Sequence, residues 1–305
     1  MTRGSRAAVI LIFWALVAQP LARGESVVLL YSSSNPLYQK IVAGFSAEFK
    51  EPFLALDLTP QGKGDQQIAD ATVFDRAPRV LLGVGAAAMS WIQQKQRRVP
   101  IVFCALSQAL QESSRSASST GVTIHPSVPD TLRAFQAINP AIRRLGLVHS
   151  RIWSVAFIES AREQAAKLGI ELTARAVEYP KDLPPTLNDL FEKSEGFWML
   201  QDPLLMTPEI VKQLLRLQLA KRIPLLTFSV PLVKKGALAA FRVEFEEQGR
   251  QAALLVKSIL EGKKPAELPF LSPRGKLVIN LSTAERLGLK LSKELLRRPD
   301  VEPID

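Results

Sequence analysis

Arg79-Val80-Leu81-Leu82-Gly83-Val84-Gly85-Ala86-Ala87-Ala88 is the stretch on which the fold turns. The apolar run over Arg79 to Gly83 is short and shows no polar alternation, so it reads as a strand covered on both faces. Glycines at 83 and 85 interrupt it. The chain continues as an amphipathic helix over Gly85 to Gln96, and Pro100 to Leu106 then repeats the apolar pattern. Strand, glycine turn, helix and strand make the βαβ rhythm of a parallel sheet with helices on its faces.

The same rhythm extends outward from this stretch. Toward the N-terminus, Ser26 to Tyr31 is a strand, and Ser32-Ser33-Ser34-Asn35-Pro36 is a polar turn that caps a helix over Leu37 to Lys50. A strand over Leu54 to Thr59, a glycine turn at Gln61 to Gly64 and a helix over Asp65 to Arg76 follow. Toward the C-terminus, the serine-rich loop Ser113 to Thr120 and the strand Gly121 to Ile124 mark a change of lobe, because few contacts need to cross a polar stretch of this kind.

The pattern then restarts. Strands are expected at 144–149, 170–176, 196–200, 224–228, 238–242 and 276–280, and helices at 154–168, 184–193, 207–221, 246–260 and 283–296. Gly262 closes the helix over 246–260 from the left-handed position after its end. Two such sets predict an α/β protein of two Rossmann-like lobes with parallel sheets and a cleft between them. Ligands of such sheets sit beyond the carboxyl ends of the strands.

Arg3 and Arg6 precede an apolar run from Ala7 to Ala18, too short to span a bilayer, and Pro20 and Ala22-Arg23-Gly24 follow it. This reads as a cleaved signal peptide over 1–24, and with it a periplasmic location. Three of the ten units of net positive charge, Arg3, Arg6 and Arg23, would leave with it. The other basic residues are scattered, without interleaved aromatics, which argues against nucleic-acid binding. Hydrophobic content of 47% is ample for two cores. The single cysteine, Cys104, lies in an apolar segment and reads as a buried thiol.

Chemistry is hard to assemble from these residues. Gly83-Val84-Gly85 lacks the third glycine of a dinucleotide fingerprint, and Gly62-Lys63-Gly64-Asp65 lacks the spacing and hydroxyl of a phosphate-binding loop. His125 and His149 are the only histidines, with no ligand partner at helical spacing, so neither a metal nor a cofactor is expected. No Gly-x-Ser-x-Gly elbow is present. Hydroxyls, amides and helix starts at strand ends remain, which suits binding rather than catalysis.

Several blocks taken together resemble a known family. They are Arg79 to Gly85, Val99-Pro100-Ile101-Val102-Phe103, Thr120-Gly121-Val122, Gly236-Ala237-Leu238, Glu244 to Ala253, Ile259 to Pro265, Leu277-Val278-Ile279-Asn280 and Ala284 to Leu289. Their order and spacing are similar to those of the ABC transporter substrate-binding proteins that include tryptophan- and phenylalanine-type receptors, with the type I periplasmic-binding fold. There are departures: Gln108-Ala109 replaces the family's Asp-Pro, and the serine-rich loop replaces its Pro-Gly-Gly-Asn stretch.

The resemblance implies three chain crossings, near 121–124, 242–244 and 268–271, and lobes made of 25–122 with 243–268 and of 123–242 with 269–305. It implies a monomeric importer receptor, not an enzyme, that closes on an amino acid or related carboxylate and meets an ABC permease in the inner membrane. A sensory binding protein signalling to a membrane receptor would have the same sequence features. The expected ligand-binding residues are Ser33, Asn35, Gly85, Ala86 and Ser107 on the first lobe, and Ser154, Asp202, Ser229 and Glu244 on or beside the second. Asp202 is expected to meet a ligand amine.

Overall fold

The computed structural model describes residues 26–32, 35–58, 78–95, 98–153 and 155–305. The expected signal peptide, the glycine turn and helix read over 61–76, Ser33 and Ser154 lie outside the described residues.

Val27–Tyr31 (β1), Leu54–Asp57 (β2), Val80–Val84 (β3), Ile101–Cys104 (β4) and Ser119–Gly121 (β5) form a sheet in the order β2-β1-β3-β4-β5, parallel throughout. Helices Pro36–Glu48 (α1), Ala86–Gln94 (α2) and Gln108–Ser113 (α3) alternate with these strands. Asn35 starts α1 by accepting the Leu37 N–H at 3.0 Å, and Pro36 supplies a first residue whose amide needs no partner.

The second sheet is larger. Arg144–His149 (β6), Glu171–Ala176 (β7), Gly196–Trp198 (β8), Leu225–Thr227 (β9), Ala239–Val243 (β10), Gly275–Asn280 (β11) and Val301–Ile304 (β12) lie in the order β12-β11-β10-β9-β8-β6-β7. Its helices are Val128–Ile138 (α4), Val155–Lys167 (α5), Leu183–Lys193 (α6), Pro208–Lys221 (α7), Val230–Lys234 (α8), Leu281–Arg286 (α10) and Lys293–Leu296 (α11). The helix Phe245–Leu260 (α9) lies between these in sequence yet packs on the first sheet: Ala252, Ala253 and Val256 share a core with Ile41, Phe45, Val80 and Val102.

The α1–α9 contact is unusually close. A Cβ on Gly249 would stand 2.0 Å from the Ile41 carbonyl oxygen, and one on Gly44 would stand 1.8 Å from that of Glu246. Both glycines are therefore required by the approach of the two backbones. Lys257 of α9 adds an ion pair to Glu48 of α1 at 2.8 Å.

The crossings between the sheets lie side by side. Val122, just past β5, bridges to Leu271 in parallel fashion; Leu271 donates to the Gly121 carbonyl at 2.9 Å, and Thr123 to that of Leu271 at 2.8 Å. The remaining crossing runs from Val243 through Glu244 into α9, and Val243 pairs with Gly275.

The structure differs from the sequence reading at definite places. The second sheet is not wholly parallel, because β10 and β11 pair antiparallel. α4, over a stretch given no element from sequence, is a full helix: Ser127 accepts the Asp130 N–H at 3.1 Å, and Val128, Leu132, Phe135 and Ile138 bury one face. α3 occupies ground between the expected strand and the serine loop. The helix expected over 283–296 is two short helices separated at Gly288, whose φ is +73°. β12 was not foreseen; it is an edge strand, where Pro303 costs no ladder bond.

Candidate ligand-binding site

The parallel strands direct their carboxyl ends toward the crossings, and a cavity of about 470 Å³ opens there. Ile124, His125 and Pro126 of the first crossing line it with Arg242 and Val243 of another; Leu37 of α1 and Phe245 of α9 close it from the first sheet's side. The remaining walls come from the second sheet, chiefly through Trp153, Phe157, Trp198, Phe228 and Phe241.

These rings form a chain. His125 lies 5.5 Å from Trp153 between centroids, Trp153 4.7 Å from Phe157, and Phe157 6.5 Å from Trp198, spacings at which aromatic pairs attract. Trp153 is 4% exposed, and its indole Nε1–H is buried without an acceptor. Burial alone pulls the His125 imidazole down to about 4, so the ring is neutral at physiological pH.

The polar part of the wall is small. Thr131 donates its hydroxyl to the Ser127 carbonyl at 3.1 Å, and Thr227 donates to the Met199 sulfur at 3.5 Å, so both hydroxyls are engaged by the protein. Arg242 forks onto Glu302, with Nη1 to Oε1 at 2.7 Å and Nη2 to Oε2 at 2.5 Å, and its Nε reaches Glu244 Oε1 at 3.4 Å. Glu302, ahead of Glu244, holds this guanidinium above its ordinary range.

Of the residues singled out from sequence, Ser229 is in the cavity wall. Asn35, Gly85, Ala86 and Ser107 follow β1, β3 and β4 at the carboxyl edge of the first sheet, outside the walls of this cavity. Gly85, with φ +85°, leaves room for Tyr38, whose ring would stand 2.4 Å from a Cβ there. Glu244 caps α9 beside the wall and faces Arg242.

Asp202 is placed differently from its expected role. It is 0% exposed, and its two oxygens accept the Ser150 N–H at 2.7 Å and the Leu204 N–H at 3.0 Å. It ties the loop after β8 to the loop after β6 and starts the short helix Pro203–Leu205. The carboxylate is thus spent on the protein's own backbone.

The aromatic wall was missed from sequence because tryptophan and phenylalanine read by default as core. The available signal was position: Trp153 falls four residues past the end of β6, and Phe228 directly follows β9. Among the described residues, no group of three histidine, cysteine, aspartate or glutamate side chains could hold a metal, and no helix is long and apolar enough to cross a membrane.

Two α/β lobes joined by three adjacent crossings, with a cavity at the crossings, define a type I periplasmic-binding architecture. The chain belongs to the ABC transporter substrate binding protein family, whose model matches residues 59–302. It is similar in structure to the ligand-free, open form of a substrate binding protein with adhesive properties from Clostridium difficile, with 14% identity, 92% of this chain and 99% of that one covered, and a TM-score of 0.67. It is also similar to an ABC domain in complex with L-Trp from Streptococcus pneumonia, with 18% identity, 92% and 100% coverage, and a TM-score of 0.58. A leucine binding protein from Thermotoga maritima matches at 13% identity, 78% and 83% coverage, and a TM-score of 0.50. No curated protein matches the chain by sequence.

Proposed function

We propose that this chain is the extracytoplasmic receptor of an ABC importer, which captures a small organic ligand between its lobes and presents the closed form to a permease in the inner membrane. The cavity at the crossings carries this reading. Its volume of about 470 Å³ suits a small molecule, its walls are mainly aromatic and apolar, and it borders the segments about which the lobes would turn. The moving bodies are 25–122 with 243–268 and 123–242 with 269–305. Ser229 on one body and, across the cleft, the Asn35, Ser107 and Glu244 side chains with the backbone amides of Gly85 and Ala86 are the polar groups that closure brings toward the ligand. The protein acts as a monomer in the periplasm, after loss of residues 1–24, and catalyses no reaction.

Native mass spectrometry of protein purified without denaturation, together with small-angle scattering before and after ligand removal, tests this. A bound small molecule, and a larger radius of gyration once it is removed, are the expected results. Ligand removal that leaves the scattering curve unchanged would count against closure, and turnover of the bound molecule would count against the receptor role.

A further inference from the structure

Resting on the receptor reading, we infer that the ligand is uncharged and ring-bearing, with a hydrogen-bond acceptor for Trp153, rather than the amino acid expected from sequence. Among the described residues, the ionisable side chains in the cavity wall are His125 and Arg242. His125 is neutral, and Arg242 is already shared between the Glu302 and Glu244 carboxylates. No carboxylate lines the wall among the described residues, and Asp202, the acid best placed by sequence to meet an amine, has both oxygens engaged by backbone amides. An ammonium group closed into this cavity would lose its water and find the carboxylate beside the wall, Glu244, already paired with Arg242, and a ligand carboxylate would have to draw Arg242 away from two carboxylates it already serves.

What the wall offers instead is ring surface, the Gln201 and Ser229 side chains, and one buried donor without a protein partner. His125, Trp153, Phe157 and Trp198 present rings at successive spacings of 5.5, 4.7 and 6.5 Å. A flat ring can extend that series. The Trp153 indole N–H has neither protein partner nor exposure, an arrangement that leaves a buried donor's desolvation cost uncompensated. A carbonyl, ether or amide oxygen on the ligand completes it after a small shift of the ring. The three features together select a neutral aromatic amide, ester, ketone or phenol-type molecule.

Three probes with one ring and different heads separate the possibilities: 3-phenylpropionamide, 3-phenylpropionate and L-phenylalanine, each titrated calorimetrically into the whole protein. The amide is expected to bind at least tenfold tighter than either charged probe, and Trp153→Phe to weaken the amide by about tenfold, the scale of one buried hydrogen bond. In ¹⁵N-tryptophan-labelled wild-type protein, the Trp153 Nε1–H resonance should move downfield with the amide, a readout that does not depend on how the variant folds. Tighter binding of phenylalanine or phenylpropionate, an unmoved Trp153 resonance on saturation, or no binding of any probe overturns the inference while leaving the receptor reading in place. Chemical conversion of a probe during the titration overturns the receptor reading itself.

Discussion

The carboxylate of Asp202 accepts the backbone N–H of Ser150 at 2.7 Å, across the loops that follow two neighbouring strands of the second sheet. With Leu204 as its other donor, this buried side chain holds together the segments from which Trp153 and Gln201 enter the cavity wall.

Asp202→Ala should therefore act on stability first. Two backbone amides lose a charged acceptor in a buried setting, a change on the order of 2–3 kcal/mol. Thermal unfolding should shift down by several degrees, and Asp202→Asn, which keeps one acceptor, should lose about half as much. An unchanged melting curve for the alanine variant would contradict the structural role.

Gly249→Ala probes the α1–α9 contact. The added methyl would have to push the Ile41 carbonyl aside from 2.0 Å, so the helices must separate or the core must shift. A loss of ~3 kcal/mol is expected from overpacking at such a site, against about 0.5 kcal/mol or less for Leu254→Ala at an exposed position of the same helix. Urea unfolding of the purified variant measures it.

The pH dependence of stability follows from His125. Its pKa falls from 6.5 to about 4 on folding, so the unfolded chain takes up a proton that the folded chain refuses between those values. Stability present above pH 6.5 is lost as pH falls toward 4, on the order of 3 kcal/mol in full. In paired urea titrations at pH 7.5 and 4.5, His125→Phe should show a visibly smaller drop than the parent. Equal drops would mean that the imidazole does not titrate in this way.

Cys104 is buried at 0% exposure, and burial pushes its thiol up to about 12. The thiolate needed for alkylation or disulfide exchange is essentially absent near neutral pH. Maleimide or a chromogenic disulfide should leave the folded protein unlabelled over hours and modify one thiol in denaturant. Labelling of the folded protein at the rate of free cysteine would refute this.

Most of the first lobe could be read from sequence because its strands are continuous apolar runs: Val27–Tyr31 and Val80–Val84 are covered by helices on both sides, and their shortness and the turn residues that follow them mark them as strands. α4 escaped notice because Val128-Pro129-Asp130 looks like loop chemistry. The same residues form a first helical turn once Ser127 is seen as its cap. β12 is a short Val-Glu-Pro-Ile segment at a sheet edge, and nothing in its composition demands a strand; it forms because β11 offers a free ladder.

The site was less legible for a similar reason. An aspartate after a strand can meet a ligand or cap a turn, and only the arrival of the Ser150 amide from 52 positions away decides between them. The aromatic wall depends on several loops converging in space, which spacing along the chain does not record.

Because α9 completes the first core but is encoded after most of the second sheet, neither half of the molecule can be cut out as an uninterrupted piece of chain. A growing polypeptide that has passed Gly121 still carries the bare apolar side of Ile41 and Phe45, and must keep it from other surfaces until Leu260 has been added. The order of synthesis and the order of burial are therefore crossed. Whatever handles the nascent chain must tolerate an unfinished first lobe while the second is being made.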